Sequence, residues 1–440
     1  MSARAIAFKV LLQVERAGAY LSVALDAALR SAGALQRQDA ALATELSYGV
    51  ARRALTLDAA LAAHSSRSLR KLETPVHVAL RLGAYQLLYL DRIPEHAAVD
   101  ETVELVKQQG LARAASFVNA VLRKIAADKT VPLPEDPLER IAVEQSHPLW
   151  LVRRWESRLG LEETAALCRA DNEPAPVTVR VNLTRATREE LIARLALAGV
   201  TALPTPLSPV GLLLEDPGPI FALEAFREGL FQVQDEAAQL VSSLAQVEPG
   251  MRVLDACAAP GGKACHLAER LAGRGEVYAI DLHARKLERL EQQARRLGVE
   301  AQIRLRAADA SRPLPFPRHS FDLVLLDAPC TGLGTLRRHP EIRYRRAEGD
   351  IARMAELQGS LADNLVGYLK PGGSFVYAVC SMEPEEGEGR AASLAGQGLR
   401  IAAPQGSQVP WREVLTPSGA IATFPHRHHT DGFFGVRLTA

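Results

Sequence analysis

The chain has 440 residues, and its 48% hydrophobic and 23% charged side chains have the balance of a soluble globular protein. A chain of this length is expected to form two or three domains. The net charge of +1 gives no indication of a polyanionic partner, and five cysteines without C-x-x-C spacing argue against a disulfide framework or a thiolate zinc site. No uninterrupted apolar segment has the length of a membrane span or a secretory signal, so we expect a cytoplasmic protein without a bound metal.

The first 130 residues predict a compact helical bundle. Alanine- and leucine-rich stretches such as "DAALATELSYGVARRALTLDAALAAHSS" (39–66) repeat apolar residues at helical spacing, and no alternating strand pattern interrupts them. The segment "KTVPLPEDPLER" (129–140) contains three prolines and several charges, which predicts a linker after the bundle.

Residues 141–245 have a mixed pattern, in which "APVTVRVN" (175–182) and "GLLLED" (211–216) predict strands on either side of a helical stretch. From residue 246 onward, strands alternate with helical stretches, which is typical of βαβ units in a doubly wound, mostly parallel sheet. We therefore predict three domains, at 1–130, 141–245 and 246–440. The predicted strands of the third domain are "MRVLDA", "EVYAID", "IRLRAAD", "FDLVLLDAP" and "GSFVYAVCS".

The stretch "VLDACAAPGGKACHLAERLAG" (253–273) predicts a buried strand, a turn of small residues and a helix. Ligands of open parallel sheets bind beyond the carboxyl ends of the strands, and free amides at a helix start favour a negative group. The turn lacks the G-x-G-x-x-G pattern, so S-adenosylmethionine fits it better than NAD, which remains the alternative. Four of the five predicted strands end in or near an acid, and such acids either bind a ligand or cap the following helices. These acids are Asp255, Asp281, Asp309 and Asp327.

Two cysteines follow predicted strands. Cys330 comes after a proline in "LDAPCTGLGTLRRHP" (326–340), and Cys380 ends the strand in "GSFVYAVCS" (373–381). From the residues alone, either thiol could be a nucleophile, or both could be small buried side chains. The acidic stretch "EPEEGE" (383–388) disfavours a thiolate at Cys380, and the sequence beside it offers no basic partner.

The segment "TLRRHPEIRYRR" (335–346) concentrates five arginines around one acid, Glu341. Arginine clusters bind phosphates and stack on bases, which predicts contact with RNA, although a solvated charged face is the alternative. Three histidines in "PHRHHTDG", at 426, 428 and 429, indicate a loop that touches RNA or solvent rather than a metal site. The predicted RNA-binding residues are Arg337, Arg338, Arg343, Arg345 and Arg346.

As a set, these motifs resemble the bacterial 5-methylcytosine RNA methyltransferases of the Sun/Fmu (RsmB) type, which modify 16S ribosomal RNA. "DACAAPGGK" is similar to the cofactor loop of that family, "LDAPCTGLGTLRRHPEI" to its fourth motif, "LKPGGSFVYAVCSMEPEEGE" to its sixth and "DGFFGVRL" to its closing strand. The resemblance implies a multidomain chain. An all-α, NusB-like RNA-binding domain would precede a small α+β segment and an α/β Rossmann-like class I domain that depends on S-adenosyl-L-methionine.

The resemblance also implies the reaction, which is methyl transfer to carbon 5 of a cytosine in 16S rRNA through a covalent cysteine–cytosine adduct. It implies that Cys380 is the nucleophile, that Cys330 takes part in product release, and that Asp327 is an acid that contacts the base. Asp281 would bind the cofactor ribose, and Asp309 would lie near the adenine. The remaining implied cofactor contacts are Cys257, Ala258, Ala259, Pro260, Gly261, Gly262, Lys263 and Asp327.

Two alternatives to this function stay open. One is the same reaction on transfer RNA, which only the substrate-reading domains could distinguish. The other is a non-catalytic RNA-binding factor built around the NusB-like domain, for which loss of Cys380 or of the glycine loop would be expected. Both features are present in this sequence. One departure from the family pattern is Val379, where many relatives have threonine.

Overall fold

The computed structural model describes residues 2–33 and 35–440. Among these residues, no helix is long and apolar enough to cross a membrane. The α-helices are α1 (Ala3–Ala17), α2 (Leu21–Ser31), α3 (Arg37–Arg52), α4 (Ala54–His64), α5 (Thr74–Tyr89), α6 (Glu95–Gln108), α7 (Ala115–Asp128), α8 (Pro137–Glu144), α9 (Leu149–Leu159), α10 (Leu161–Ala170), α11 (Arg188–Leu197), α12 (Glu224–Arg227), α13 (Glu236–Leu244), α14 (Gly262–Arg270), α15 (Ala284–Leu297), α16 (Ile342–Arg345), α17 (Gly349–Val366), α18 (Glu388–Gly396) and α19 (Pro425–His428).

The strands form two sheets. One has four antiparallel strands in the order β2-β3-β1-β4, and the other has eight strands in the order β10-β12-β9-β8-β5-β6-β7, with β11 paired to β12. The strands are β1 (Val177–Val181), β2 (Thr201–Pro204), β3 (Gly211–Glu215), β4 (Phe231–Val233), β5 (Arg252–Ala256), β6 (Glu276–Asp281), β7 (Ile303–Ala307), β8 (Phe321–Asp327), β9 (Leu369–Val379), β10 (Arg400–Ile401), β11 (Ile421–Thr423) and β12 (Phe433–Thr439).

The chain divides into two compact units. The first comprises Met1–Pro174 together with Leu336–Arg346, and the second comprises Ala175–Thr335 together with Ala347–Ala440. The two sheets lie in the second unit, whereas α1 to α10 lie in the first. The combination of a helical N-terminal part, a small mixed segment and a Rossmann-like sheet confirms the predicted fold class.

Helices α1 to α7 of the first unit pack around one apolar core that includes Phe8, Leu46 and Leu80. Gly18 ends α1 with a left-handed φ of 63°, a conformation that glycine adopts without steric cost. The predicted linker is shorter than expected, because α8 already begins at Pro137. The Asp136 carboxylate accepts hydrogen bonds from the first amides of that helix, and proline is favoured at the first helical position.

Helices α8 to α10 belong to the first unit, so this unit extends beyond residue 130 to Pro174. The amide of Leu55 donates to the Ser146 hydroxyl at 2.8 Å, and the Thr56 hydroxyl donates to the Val143 carbonyl at 2.7 Å. These bonds tie the start of α4 to the end of α8 and to the turn that follows it. Composition changes near residue 130, but the compact unit does not end there.

The arginine-rich segment also belongs to the first unit. Arg343 is fully buried, and its guanidinium donates to Asn172 Oδ1 at 2.8 Å and to the carbonyl of Asp171 at 3.1 Å. Arg337 is only 3% exposed. A buried guanidinium cannot reach a phosphate, so the burial contradicts the predicted RNA contact for Arg337 and Arg343.

The other arginines of the segment are more accessible. Arg345 donates to the carbonyl oxygens of Val14 and Gly18 at 2.9 Å each, so it caps the C-terminus of α1. Arg338 and Arg346 are partly exposed. RNA contact therefore stays a proposal for the accessible members of the segment, of which Arg345 already has a structural role.

Replacement of Arg343 by alanine tests the structural role of this segment. The Arg343→Ala change removes the donor of a buried amide oxygen and a buried carbonyl, so we expect a loss of about 3 kcal/mol in the free energy of unfolding. Urea unfolding followed by circular dichroism measures the loss. The matched control is Arg30→Ala, whose exposed pair with Asp26 should contribute less than about 1 kcal/mol. Equal losses in the two variants would contradict the structural assignment.

The large sheet of the second unit is parallel from β7 through β6, β5 and β8 to β9, and β12 closes it in antiparallel orientation next to β9. The central strands are buried on both faces, which explains why they read as nearly continuous apolar runs. Because these five strands are parallel, their carboxyl ends meet at one edge. The loops that follow them form the candidate site.

Candidate active site

The loop between β5 and α14 turns sharply at the sheet edge. Cys257 adopts a left-handed φ of 66°, and Gly261 precedes α14 with a φ of 108°. A Cβ atom on Gly261 would lie 2.6 Å from the Leu290 side chain, so only glycine fits at that position. The amide of Ala258 donates to the Ile280 carbonyl at 2.9 Å, which ties the loop to the end of β6. The sequence-predicted cofactor loop therefore brings the first turn of α14 to the sheet edge.

Two of the predicted acids lie on the same side of this loop. Asp281 is 8% exposed at the end of β6, and it accepts hydrogen bonds from the amides of His283 at 2.9 Å and Ala259 at 3.3 Å. Asp309 follows β7, and it accepts from the amide and the hydroxyl of Ser311 at 3.0 and 2.6 Å. These bonds hold the carboxylates of both acids beyond the strand ends.

Asp255 differs from the other three acids because it is fully buried inside β5. Neither of its carboxylate oxygens has a hydrogen-bond partner among the described residues. Burial first, and then the negative charge of Asp327, raise the pKa of Asp255 well above its ordinary value, although Lys263 lowers it in part. The site around Asp255 thus favours the neutral form of this acid over the charged form.

Lys263 and Asp327 form an ion pair at the edge. The Lys263 ammonium donates to Asp327 Oδ2 at 2.7 Å, and the lysine side chain is only 11% exposed. Burial opposes the ammonium charge, but the attraction of Asp327 outweighs burial and raises the pKa of Lys263. Cys380 contributes to this increase, so Lys263 supplies a positive charge near that thiol. Sequence analysis could not identify this partner of Cys380, since the lysine lies more than a hundred residues away in the predicted cofactor loop.

The two cysteines that follow the strands come together. The sulfur atoms of Cys330 and Cys380 are 3.1 Å apart, and both residues are free thiols. The hydrogen bond with Cys380, together with burial, raises the pKa of Cys330 well above its ordinary value, and the charge of Glu386 adds to this effect. Either sulfur can donate to the other in this contact, so the two thiols share one hydrogen bond. Burial raises the pKa of both Cys257 and Cys265 to about 12.

A third segment completes the site. The amide of Gly334 donates to the carbonyl of Cys380 at 3.1 Å, and the amide of Gly432 donates to the carbonyl of Gly334 at 2.7 Å. A Cβ atom on Gly334 would lie 1.9 Å from the Gly432 carbonyl oxygen, so this close approach requires glycine. The segment before β12, which the sequence analysis quoted only for its closing strand, therefore packs against the loop of the first cysteine.

Two glutamates of the acidic stretch after Cys380 are enclosed by the protein. Glu383 and Glu386 are both fully buried. The Glu386 carboxylate accepts hydrogen bonds from the two loops that carry the cysteines, which the sequence analysis did not anticipate.

Of the histidines in the later loop, His428 accepts from the Phe424 amide at 2.9 Å and contacts the Glu413 carbonyl at 3.1 Å.

Comparisons with known proteins follow this division of the chain. Residues 1–127 match the NusB family, residues 147–221 match the RsmF/B-like ferredoxin-like domain, and residues 242–439 match the 16S rRNA methyltransferase RsmB/F family. The probable ribosomal RNA small subunit methyltransferase B of Bacillus subtilis (strain 168) is 35% identical, over 98% of this chain and 97% of that protein. The chain belongs to the ribosomal RNA small subunit methyltransferase B family. The Pseudomonas syringae pv. tomato member is 36% identical, over 100% of this chain and 97% of that protein.

Solved structures agree with the family in fold. The crystal structure of PH0851 is 26% identical with a TM-score of 0.87, over 100% of this chain and 99% of that chain. A methyltransferase homologue from Pyrococcus horikoshii is 27% identical with a TM-score of 0.59, over 70% of this chain and 99% of that chain. The fold of the whole chain thus recurs in one of these solved structures, and the fold of about two thirds of it recurs in the other.

S-adenosyl-L-methionine is the cofactor of this methyltransferase, and the sheet edge fits it chemically. Asp281 and Asp309 place carboxylates where they can accept from hydroxyl groups and attract a sulfonium charge. The first turn of α14, which follows Gly261, offers amides to a carboxylate. Leu282 is 64% exposed beside Asp281 and provides an apolar surface for a flat ring. These are the residues that would hold the cofactor.

The buried acid of β5 predicts a pH dependence of stability. Because the folded state raises the pKa of Asp255 above 3.8, its stabilising contribution is complete below about pH 3.8 and is lost as the pH rises through the folded-state pKa. Asp255→Asn keeps the shape of the neutral acid, so we expect the variant to lose less stability than the wild type as the pH rises through this window. Urea unfolding at a series of pH values measures the difference.

The control for this experiment is Asp322→Asn. Hydrogen bonds from Lys370 and the Arg252 amide outweigh burial and lower the pKa of Asp322, so its contribution is present above about pH 3.8 and is lost as the pH falls. The two variants should therefore shift the pH profile in opposite directions. An Asp255→Asn profile that is parallel to the wild type would show that Asp255 is ionised in the folded protein.

Proposed function

We propose that the chain transfers a methyl group from S-adenosyl-L-methionine to carbon 5 of a specific cytosine in 16S rRNA, with Cys380 as the nucleophile. The observation that carries this proposal is the pair of thiols, whose sulfur atoms lie 3.1 Å apart at the carboxyl edge of the sheet. The Lys263 ammonium, which is bonded to Asp327 at the same edge, interacts electrostatically with Cys380. A positive group near Cys380 stabilises a thiolate there, which favours Cys380 over Cys330 as the attacking group.

Covalent catalysis explains why the reaction requires a thiolate. Carbon 5 of cytosine reacts poorly with an electrophile until the Cys380 thiolate bonds to carbon 6 and the displaced electron pair makes carbon 5 nucleophilic. The bound cofactor supplies the electrophilic methyl group. Carbon 5 then carries both the methyl group and a proton, and removal of this proton restores the double bond and expels Cys380 as a thiolate. We assign stabilisation of charge on the base to the Lys263–Asp327 pair.

The same contact gives Cys330 two successive roles. Before attack, its thiol donates to Cys380 and stabilises that thiolate. Once Cys380 has bonded to carbon 6, its negative charge is gone, and with it the principal cause of the raised pKa of Cys330. Cys330 can then release its own proton to solvent and accept the proton from carbon 5. In this order of steps, Cys330 is a hydrogen-bond donor before attack and a base during product release.

The family and its first domain favour 16S rRNA as the substrate. The names of the relatives from Bacillus subtilis and Pseudomonas syringae refer to the ribosomal RNA small subunit, and residues 1–127 match the NusB family. Arg338 and Arg346 are the partly exposed arginines for which we propose contact with RNA phosphates. Transfer RNA is the second candidate substrate, which direct mapping of methylated cytosines distinguishes.

Replacement of the nucleophile tests the function and the substrate together. A strain that lacks the gene should show unmodified cytosine at one 16S rRNA position in bisulfite sequencing, and the wild-type gene should restore the modification. Cys380→Ala should restore none of it, because the change removes the proposed nucleophile. Calorimetry with S-adenosyl-L-methionine provides the control, since cofactor binding should persist in the variant. Restored methylation by Cys380→Ala would refute the nucleophile, and loss of methylation only in transfer RNA would refute the substrate.

Replacement of the second thiol separates attack from release. Cys330→Ala retains the nucleophile but removes the proposed base, so the protein should remain bonded to the RNA. The adduct should appear as a slowly migrating band in denaturing gels after incubation with RNA and cofactor. Cys330→Ala/Cys380→Ala is the matched control and should give no band. Normal turnover by Cys330→Ala without an adduct would remove the release role.

A further inference from the structure

We propose that Glu386 is a positioning residue that sets the distance between the two thiols by bonding to the loops that carry them. The proposal rests on the proposed function, in which Cys380 attacks the base and Cys330 releases the product. It concerns the acidic stretch whose charge is unfavourable beside a thiolate and which the mechanism does not use. Burial of Glu386 inside the site requires a reason other than general solubility.

The Glu386 carboxylate is bonded on both oxygens. Its Oε1 accepts from the Thr331 amide at 2.8 Å and from the Gln358 amide group at 3.0 Å. Its Oε2 accepts from the hydroxyls of Thr331 and Ser381 at 2.5 Å each. Two donors for each oxygen satisfy the acceptor capacity of a buried carboxylate.

The positions of these donors carry the inference. Thr331 directly follows Cys330, and Ser381 directly follows Cys380. Neighbouring Cα atoms are about 3.8 Å apart, so a group that fixes the residue after each cysteine also restricts the cysteine itself. One carboxylate thus joins two loops that lie fifty residues apart in the sequence.

Glu386 is itself held in place from two further elements. The Tyr377 hydroxyl, on β9, donates to the Glu386 carbonyl at 2.6 Å. Gln358, on α17, donates both to the Glu386 carboxylate and to the Pro329 carbonyl at 2.9 Å, one residue before Cys330. The loop of the first cysteine is therefore fixed on both sides of the thiol, and the carboxylate cannot follow a displacement of either loop.

A role for Glu386 as a proton acceptor from the substrate does not fit this geometry. Its oxygens already accept from Thr331, Ser381 and Gln358, so neither is directed to a ligand. The variant Glu386→Gln removes the negative charge of the carboxylate but can retain its hydrogen bonds, so it distinguishes the two contributions. Its amide oxygen can still accept from the Thr331 and Gln358 donors, while its amide group can donate to the two hydroxyls, which rotate freely. Glu386→Ala removes the bridge entirely.

Diamide oxidises the two thiols to a disulfide, and the rate of this closure tests the distance between the thiols without any catalysis. In the full-length protein, diamide takes two electrons and two protons from Cys330 and Cys380 and leaves a disulfide. We expect Glu386→Gln to close at nearly the wild-type rate and Glu386→Ala to close about 100-fold more slowly, the size of effect that a misplacement of about 1 Å produces. Asp322→Asn, at the start of the strand that leads to Cys330, is the control and should close at the wild-type rate. Equal closure rates in wild type and Glu386→Ala would overturn the proposal.

A second variant covers the case in which Glu386→Ala does not fold. Thr331→Val/Ser381→Ala retains the carboxylate but removes both hydroxyl donors, and we expect slower closure there as well; unchanged closure would overturn the proposal. Denaturing gels after incubation with RNA and cofactor then show whether the distance between the thiols affects release of the product. Glu386→Ala should accumulate the protein–RNA adduct as Cys330→Ala does. If Cys330→Ala forms no adduct while Glu386→Ala still slows closure, the proposed release role of Cys330 fails and the positioning role of Glu386 stands.

Discussion

The parallel pairing of β8 with β9 determines where the two reactive thiols lie. Asp327 is opposite Ala378, and the amide of Ala328 donates to the Ala378 carbonyl at 2.9 Å, so the pairing continues past the end of β8. Cys330 and Cys380 follow this last pair within a few residues, and their sulfur atoms reach 3.1 Å. A slip of one residue would turn the side chains of a strand to its other face. The buried residues on both strands thus fix the register on which the thiol contact depends.

The ion pair at the same edge connects the predicted cofactor loop to Cys380, the proposed nucleophile. Lys263 belongs to the first turn of α14, and its partner Asp327 ends β8. The ammonium is held charged in spite of burial because Asp327 and Cys380 both stabilise it. A positive group that is shared in this way makes the environment of the thiolate dependent on the loop that binds the cofactor. Displacement of that loop would therefore affect both methyl-donor binding and the charge near Cys380.

Periodicity and motif spacing predicted the fold class, the strands from β5 to β9, and the edge at which the acids and cysteines gather. What they could not provide is the direction of individual side chains. Asp255 has the same sequence context as the other strand-end acids, yet it is buried without a hydrogen-bond partner among the described residues. Arg343 stands in a cluster that is typical of RNA binding, but its guanidinium bonds to Asn172 inside the first unit. A local charge pattern does not reveal which long side chains are directed inward, because their partners lie far away in the sequence.

Glu386 shows how a buried charge can serve geometry rather than stability. Removing a carboxylate from water is costly, and even good hydrogen bonds often do no more than offset that cost. An apolar side chain of similar size could fill the same space, but it could not bond to Thr331 and Ser381 at the same time. The donors have fixed lengths and directions, so two loops bonded to one carboxylate have little freedom to drift apart. In the proposed mechanism, the acidic stretch that appeared unfavourable for a thiolate contributes the rigidity that two successive thiol roles require.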